Sequence, residues 1–196
     1  MSLFKNFNLM QFRAFMLQQV RDFIDVMPND EIMNTDLDQL KKKVFEQVGL
    51  VPVDIDIQSG KIVSRTRGKT RKYCDTREWS DVESADIVVE YRFSGSPFLF
   101  GCYDENEYNP HVLALSDMHE IDENRNALIL RYSIPFGSDL DQELKKKNND
   151  DLTVIRQHID DLNREIEKLN NACKQEINSF LTVRKNQLSK LNNISL

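Results

Sequence analysis

Residues 51–60 read Val-Pro-Val-Asp-Ile-Asp-Ile-Gln-Ser-Gly, and here the apolar period of the chain changes. Val51, Val53, Ile55 and Ile57 alternate with Pro52, Asp54 and Asp56, so an extended chain puts the apolar side chains on one face and both carboxylates on the other. That is the pattern of a half-buried strand, and Ser59-Gly60 offers a hairpin-type turn after it. The same alternation returns in Ile87, Val89, Tyr91 and Phe93, and again in Leu128, Leu130, Tyr132 and Ile134. A short aromatic segment, Pro97–Phe100, and a short apolar one, Val112–Leu115, lie between them. About four to six strands follow. No helical period separates consecutive strands after residue 51, which predicts an antiparallel sheet.

Upstream the period is helical. Phe12, Met16, Val20, Phe23 and Met27 recur at steps of three and four, widened by Phe15, Leu17 and Ile24, until Pro28 stops the helix. Pro28-Asn29-Asp30 turns the chain. Thr35, with Asp36 and Asp38 behind it, reads as an N-cap, and a second helix runs to Val48 with Gly49 as its C-cap. Leu37, Leu40, Val44, Phe45 and Val48 form its apolar face. The two helices are expected to cover one face of the sheet.

Downstream of Pro135-Phe136-Gly137 there is no further Pro or Gly. Leu152, Ile155, Ile159, Leu162, Ile166, Leu169 and Cys173 follow a coiled-coil seam, and the phase slips near Cys173 before a stripe of Ile177, Phe180 or Leu181, Arg184, Leu188 and Leu191. Asn170-Asn171 at that slip can mark a turn between two antiparallel helices. The expected fold is therefore α+β: an antiparallel sheet packed by two N-terminal helices over 1–136, then a helical coiled coil or helical hairpin over 137–196. The seam Leu152, Ile155, Ile159, Leu162, Ile166 and Leu169 is the expected interface, either in a homo-oligomer or within that hairpin.

Composition narrows the function. The 196 residues are 40% hydrophobic and 30% charged with 6 Gly and 5 Pro, which excludes collagen-like and low-complexity chains. No apolar run approaches the roughly 20 residues of a membrane helix, and Met-Ser-Leu-Phe-Lys at the start lacks a signal-peptide block. No membrane partner and a cytoplasmic location are the expectations. Cys74, Cys102 and Cys173 have no paired spacing and no histidine close by in sequence, so neither a disulfide framework, a zinc site nor any other cofactor is expected.

The net charge of −6 disfavours nucleic acid for the chain as a whole, so any such binding must be local. Residues 61–72 are the local exception: Lys61, Arg65, Arg67, Lys69, Arg71 and Lys72 occur with no acidic residue among them. If extended, Arg65, Arg67, Lys69 and Arg71 share a face and form a basic ribbon able to follow phosphates. The bland reading is a solvated hairpin. No phosphate-binding glycine loop or hydrolase nucleophile motif is present. Asp86 with Glu90-Tyr91-Arg92 is the nearest approach to a metal-nuclease carboxylate set, but Glu90 and Arg92 also fit the polar face of an ordinary strand.

The order of several pieces carries a resemblance. Glu90-Tyr-Arg-Phe-Ser-Gly-Ser-Pro-Phe-Leu-Phe100, an Asn109-Pro110 segment, a strand ending Ile134-Pro135, and a heptad helix with Asp161-Leu-Asn163 and Phe180-Leu-Thr-Val-Arg184-Lys185-Asn-Gln-Leu188 follow one another. This resembles, over residues 85–191, the N-terminal region of a group of uncharacterised bacterial proteins whose C-terminal half is a restriction-endonuclease-like domain of the PD-(D/E)XK type. The resemblance implies that the chain is the front part of a longer protein and lacks the nuclease half. It further implies a non-catalytic regulatory or assembly module of a nuclease-like defence protein, not an enzyme. Weak contact with nucleic-acid phosphates is added by the basic ribbon. A stand-alone protein-interaction domain is the alternative, and a metal-dependent nuclease using Asp86 and Glu90 a more distant one.

Overall fold

Residues 7–73, 79–103, 115, 119–136 and 139–192 are described in the computed structural model. The alternation that starts at Val51 becomes strand β1 (Asp54–Tyr73), followed by β2 (Trp79–Ser94), β3 (Glu120–Asp122) and β4 (Ala127–Pro135). They form one antiparallel sheet in the order β1-β2-β4-β3. Ser59-Gly60 does not turn the chain. Instead the strand continues for 20 residues through two register shifts, between Asp56 and Lys61 and between Ile62 and Ser64. The Ser59 hydroxyl accepts from the Arg92 N–H at 2.7 Å and donates to the Asp56 carbonyl at 2.6 Å, so the irregular backbone remains bonded. A Cβ on Gly60 would stand 2.4 Å from the Tyr91 ring, which is why this position holds glycine.

The chain divides into two compact units, and the division differs from the expected boundary at 136/137. One unit takes Phe7 and Pro52–Asn163; the other takes Asn8–Val51 with the chain from Arg164 onward. Helix α4 (Leu140–Asn192) belongs in part to each, because its apolar stripe runs on without a break.

In the first unit, Ile87, Val89, Tyr91 and Phe93 of β2 stand opposite or beside Leu128, Leu130, Tyr132 and Ile134 of β4 on one buried face. The N-terminal part of α4 is bonded to that face. Asn148 donates to the Tyr91 hydroxyl at 2.6 Å and accepts from the Tyr132 hydroxyl at 3.2 Å. Asp151 lies 3.2 Å from His119 Nε2, while His119 Nδ1 accepts the Arg131 backbone N–H at 3.2 Å. With Nδ1 as acceptor, the neutral ring carries its proton on Nε2 and donates it to the carboxylate. The short aromatic segment Pro97–Phe100 lies in a 3-10 helix, Pro97–Gly101, that buries Leu99 and Phe100, the latter edge-on to Phe93 at 4.8 Å. Of the apolar segment Val112–Leu115 only the buried Leu115 is among the described residues, and Asn109-Pro110 lies outside them.

The second unit is helical. Helix α1 (Leu9–Val26), a short α2 (Asn29–Asn34) that begins within the expected turn Pro28-Asn29-Asp30, and α3 (Leu37–Val48) bury Met16, Val20, Ile24, Ile32, Leu40 and Val44 against Leu169, Cys173, Ile177 and Leu181 of α4. The N-terminal helices thus find an apolar partner in the C-terminal half of α4. Phe15, assigned to the buried stripe, is 58% exposed. Asp36, not Thr35, caps α3, accepting from the Asp38 and Gln39 N–H groups at 2.8 and 3.3 Å. Helix α1 has no basic residue in its last turn, and Arg184 supplies one: its guanidinium donates to the Ile24 and Met27 carbonyls, the latter at 2.9 Å, and to Asn29 Oδ1 at 3.2 Å. Lys185 donates to the Thr35 carbonyl at 2.8 Å.

Helix α4 is continuous, so there is no helical hairpin and Asn170-Asn171 makes no turn. Asn170 instead donates to the Leu50 carbonyl at 2.8 Å and accepts the Leu50 N–H at 3.0 Å. Asn163, one heptad earlier, does the same to Val53, at 2.8 and 2.9 Å. The seam residues Leu152, Ile155, Ile159, Leu162, Ile166 and Leu169 are 0–7% exposed within the single chain. They are therefore core, closed to a second copy. No helix among the described residues is long and apolar enough to cross a membrane.

Two outcomes follow from this burial. Ile159→Asp should lower stability by at least about 3 kcal/mol, from lost packing and a buried carboxylate, while light scattering shows the same mass as the native chain. Asn163→Ala and Asn170→Ala should each cost about 1–3 kcal/mol, since each strands a backbone donor and acceptor together; denaturant midpoints by circular dichroism measure this.

Candidate nucleic-acid interface

Strand β4 pairs with β2 only between Ser84 and Arg92, whereas β1 and β2 remain paired from Arg65↔Ile87 out to Tyr73↔Trp79. The Glu83 carbonyl still accepts the Phe136 N–H at 2.9 Å, so the pairs from Thr70↔Val82 outward are a two-stranded arm beyond the four-stranded sheet. Residues directly opposite in a ladder share a face. Arg65, Arg67, Lys69 and Arg71 stand opposite Ile87, Ala85, Glu83 and Asp81, so all four cations lie on one face at a repeat of about 6.8 Å. All four are exposed. Two carboxylates temper that face: Asp81 lies 3.6 Å from the Arg71 guanidinium, and Glu83 is opposite Lys69. Arg65 and Arg67 face uncharged partners.

Lys61 departs from the expected ribbon. The register shift between Ile62 and Ser64 inserts one residue and reverses the parity of the strand, which leaves Lys61 opposite Glu90 on the other face. It is 3.1 Å from that carboxylate. Lys72 stands opposite Ser80, and its side chain lies outside the described set.

The face of the sheet away from α4 carries the second polar cluster. The Glu90 side chain is 8% exposed and is held by Lys61 and by Arg125 Nη1 at 3.0 Å. Arg125 also bonds Asp122 at 2.6 Å, and this hydrogen bond holds the Asp122 carboxyl below the usual carboxylate range. Around them opens a shallow cavity of about 730 Å³ lined also by Val88, Glu120 and Arg131, the last two paired with each other. Asp86 is engaged separately, accepting from the Ser133 and Ser84 hydroxyls at 2.6 and 3.2 Å. Its carboxylate lies over Gly68, where a Cβ would come within 1.9 Å of an oxygen.

Asp86 and Glu90 are four residues apart on one strand, about 13 Å along it, and each has its own partners. They do not converge on one ion, whose ligand bonds would be about 2.0–2.1 Å for Mg²⁺. Among the described residues no three His, Cys, Asp or Glu side chains could hold a metal. Sequence reasoning missed Trp79, which the ladder sets at the end of the arm on the face of the four cations, and it missed the Arg125 bridge. Carrying the strand back past Ala85 would have found the first. Asp122-x-x-Arg125 in a turn was the only local hint of the second.

The described thiols are closed off. Burial pushes the Cys102 thiol up to about 12 and raises that of Cys173. Cys74 lies outside the described residues. The Tyr132 hydroxyl is likewise raised, first by burial and then by the charge of Asp151.

No family model, curated protein or solved structure matches this chain.

A thiol near 12 leaves about one thiolate in ten thousand at pH 8. Alkylation of the native protein at that pH, followed by peptide mass mapping, should therefore leave Cys102 unmodified, and denaturant should make it react within the same time.

Proposed function

We propose that this chain is a non-catalytic nucleic-acid-contacting module whose two-stranded arm holds the phosphate backbone. The observation that carries the reading is the placement of Arg65, Arg67, Lys69 and Arg71 on one exposed face of β1, in a row that starts where β4 still backs β2 and runs out onto the arm. A two-stranded ribbon fits the major groove of a duplex. Cations at a regular repeat along it neutralise phosphates and release counterions, a source of affinity that does not depend on sequence. Nothing on that face offers the Asn or Gln pairs that read base edges, so the contact positions rather than specifies. The acidic balance of the remaining chain confines binding to the arm and keeps it weak. In this reading the module is the regulatory, DNA-holding part of a cytoplasmic nuclease-like protein of the bacterial group it resembles, with the cutting activity supplied elsewhere.

Fluorescence anisotropy with a labelled mixed-sequence duplex tests it. At about 50 mM salt the native protein should bind, and log K should fall against log salt with a slope near −3.6, four phosphates at about 0.9 each. Replacing all four cations by Gln should abolish binding and leave the melting temperature unchanged; Gln is preferred to Glu because it sets no like charge opposite Asp81 and Glu83. Absence of binding by the native protein, or equal binding by the quadruple variant, refutes the reading.

A further inference from the structure

We infer that the outer edge of β1 between Ser64 and Thr70 receives an extended acidic segment of a partner protein as a further strand, with its carboxylates opposite Arg65, Arg67 and Lys69. The inference goes beyond the phosphate reading, because it uses the backbone groups of the strand as well as its cations.

In the order β1-β2-β4-β3, β1 stands at the edge of the sheet, and among the described residues no strand lies on its other side. Every second residue of an antiparallel edge strand turns its N–H and C=O away from its one neighbour. Proteins keep such edges from pairing by making them short, by proline, by bulges, by covering them or by charge. Strand β1 is 20 residues long. Both its register shifts lie before Ser64, and from Ser64↔Val88 to Thr70↔Val82 the ladder is regular. The stretch holds no proline, and Arg65, Thr66, Arg67 and Lys69 are exposed. Of these devices, charge is therefore the one that guards it.

Charge excludes only a strand of the same sign. A second copy lying antiparallel on this stretch, with its cations on the same face, sets Arg67 against its counterpart and Arg65 against Lys69, and like charges directly opposite repel. An acidic strand reverses the sign at each of these positions. Because side chains two apart share a face, carboxylates at every second residue of the incoming segment meet Arg65, Arg67 and Lys69 in turn. Arg65 and Arg67 contribute most, since their partners on β2 are Ile87 and Ala85, whereas Lys69 already faces Glu83. The opposite face of the stretch carries Thr66, Gly68 and Thr70, small residues beside which β-branched side chains of the partner fit. Main-chain bonds along the edge then supply affinity, and the spacing of charge selects the partner. A duplex and an acidic strand draw on the same two guanidiniums, so the binding of one excludes the other.

The test uses the full chain and a fluorescein-labelled peptide of about nine residues, the length of an ordinary strand, in which Glu and Thr alternate and both ends are blocked. By anisotropy the native protein should bind it and should not bind the same peptide with Lys in place of Glu. A peptide with Pro in place of Thr keeps the charges but cannot pair along the edge, and it should bind about tenfold more weakly or worse, each lost hydrogen bond being worth roughly a factor of five. The double variant Arg65→Glu, Arg67→Glu should lose the Glu-Thr peptide and gain the Lys-Thr peptide, a reversal that a merely structural role would not give; circular dichroism checks that it is folded. If the native chain does not bind the Glu-Thr peptide, or binds the Glu-Pro peptide equally well, the inference falls, and the phosphate reading is decided separately by the duplex titration. Binding of the peptide without binding of the duplex leaves this inference standing and removes the phosphate reading. Where both bind, unlabelled peptide should displace labelled duplex, and simultaneous binding overturns the shared use of Arg65 and Arg67.

Discussion

Two asparagines set one heptad apart on a single helix each satisfy both polar groups of one backbone residue, Asn163 at Val53 and Asn170 at Leu50. The segment they hold, Leu50–Val53, leads from the N-terminal helices into the first strand, and a chain leaving a helix for a sheet has no regular partner for its N–H and C=O groups. A carboxamide is well suited here, since it alone among neutral side chains presents one donor edge and one acceptor edge together, as a neighbouring strand would. The Asn163 bonds hold the residue directly before β1, and the parity they set lasts to the first register shift after Asp56. Helix α4 can play this part because its apolar stripe turns one face inward along its length, which points residues 163 and 170 at the same flank.

The period of the side chains made most of the elements legible. Strands 87–93 and 128–134, the first and third helices, the Gly49 stop and the long C-terminal helix all stand where alternation or three-four spacing puts them. What periodicity does not contain is the partner. The row Leu152 to Leu169 has heptad spacing, yet the spacing is equally that of a helix lying on a sheet, and burial within one chain is what occurs. Past Leu169 the buried residues Cys173, Ile177 and Leu181 step by four, which follows the ridge rows of ordinary helix packing and explains the slip in phase without any break. Asn170 looked like a turn residue because local rules score it so; its bond to a residue 120 positions away lies outside any local rule. Ser59-Gly60 misled for the same reason, the glycine answering to the Tyr91 ring and not to a turn.

Of the candidate site, the common face of Arg65, Arg67, Lys69 and Arg71 was legible because strand parity is counted along the chain. The loss of Lys61 from that face was not. One inserted residue reverses parity, and bulges carry little sequence signature beyond a nearby glycine. Glu90 read as the polar side of a strand, which is correct, but the guanidinium that covers it comes from a turn 35 residues later. The carboxylates Asp86 and Glu90 show the converse: proximity in sequence gave the appearance of a set, and four residues of extended chain hold them apart.

Arg184 ties the end of α1 to a residue near the far end of the chain, and Lys185 does the same for Thr35. During synthesis this imposes an order. Residues 8–51 emerge before the half of α4 that buries Met16, Val20 and Leu40, with more than a hundred residues between. At about 5–20 residues per second the delay is on the order of ten seconds. Apart from Phe7, the first unit runs without interruption from Pro52 to Asn163 and can close before then. The helices α1–α3 must wait with their apolar faces open, so during synthesis they are exposed to capture by chaperones until that half of α4 follows.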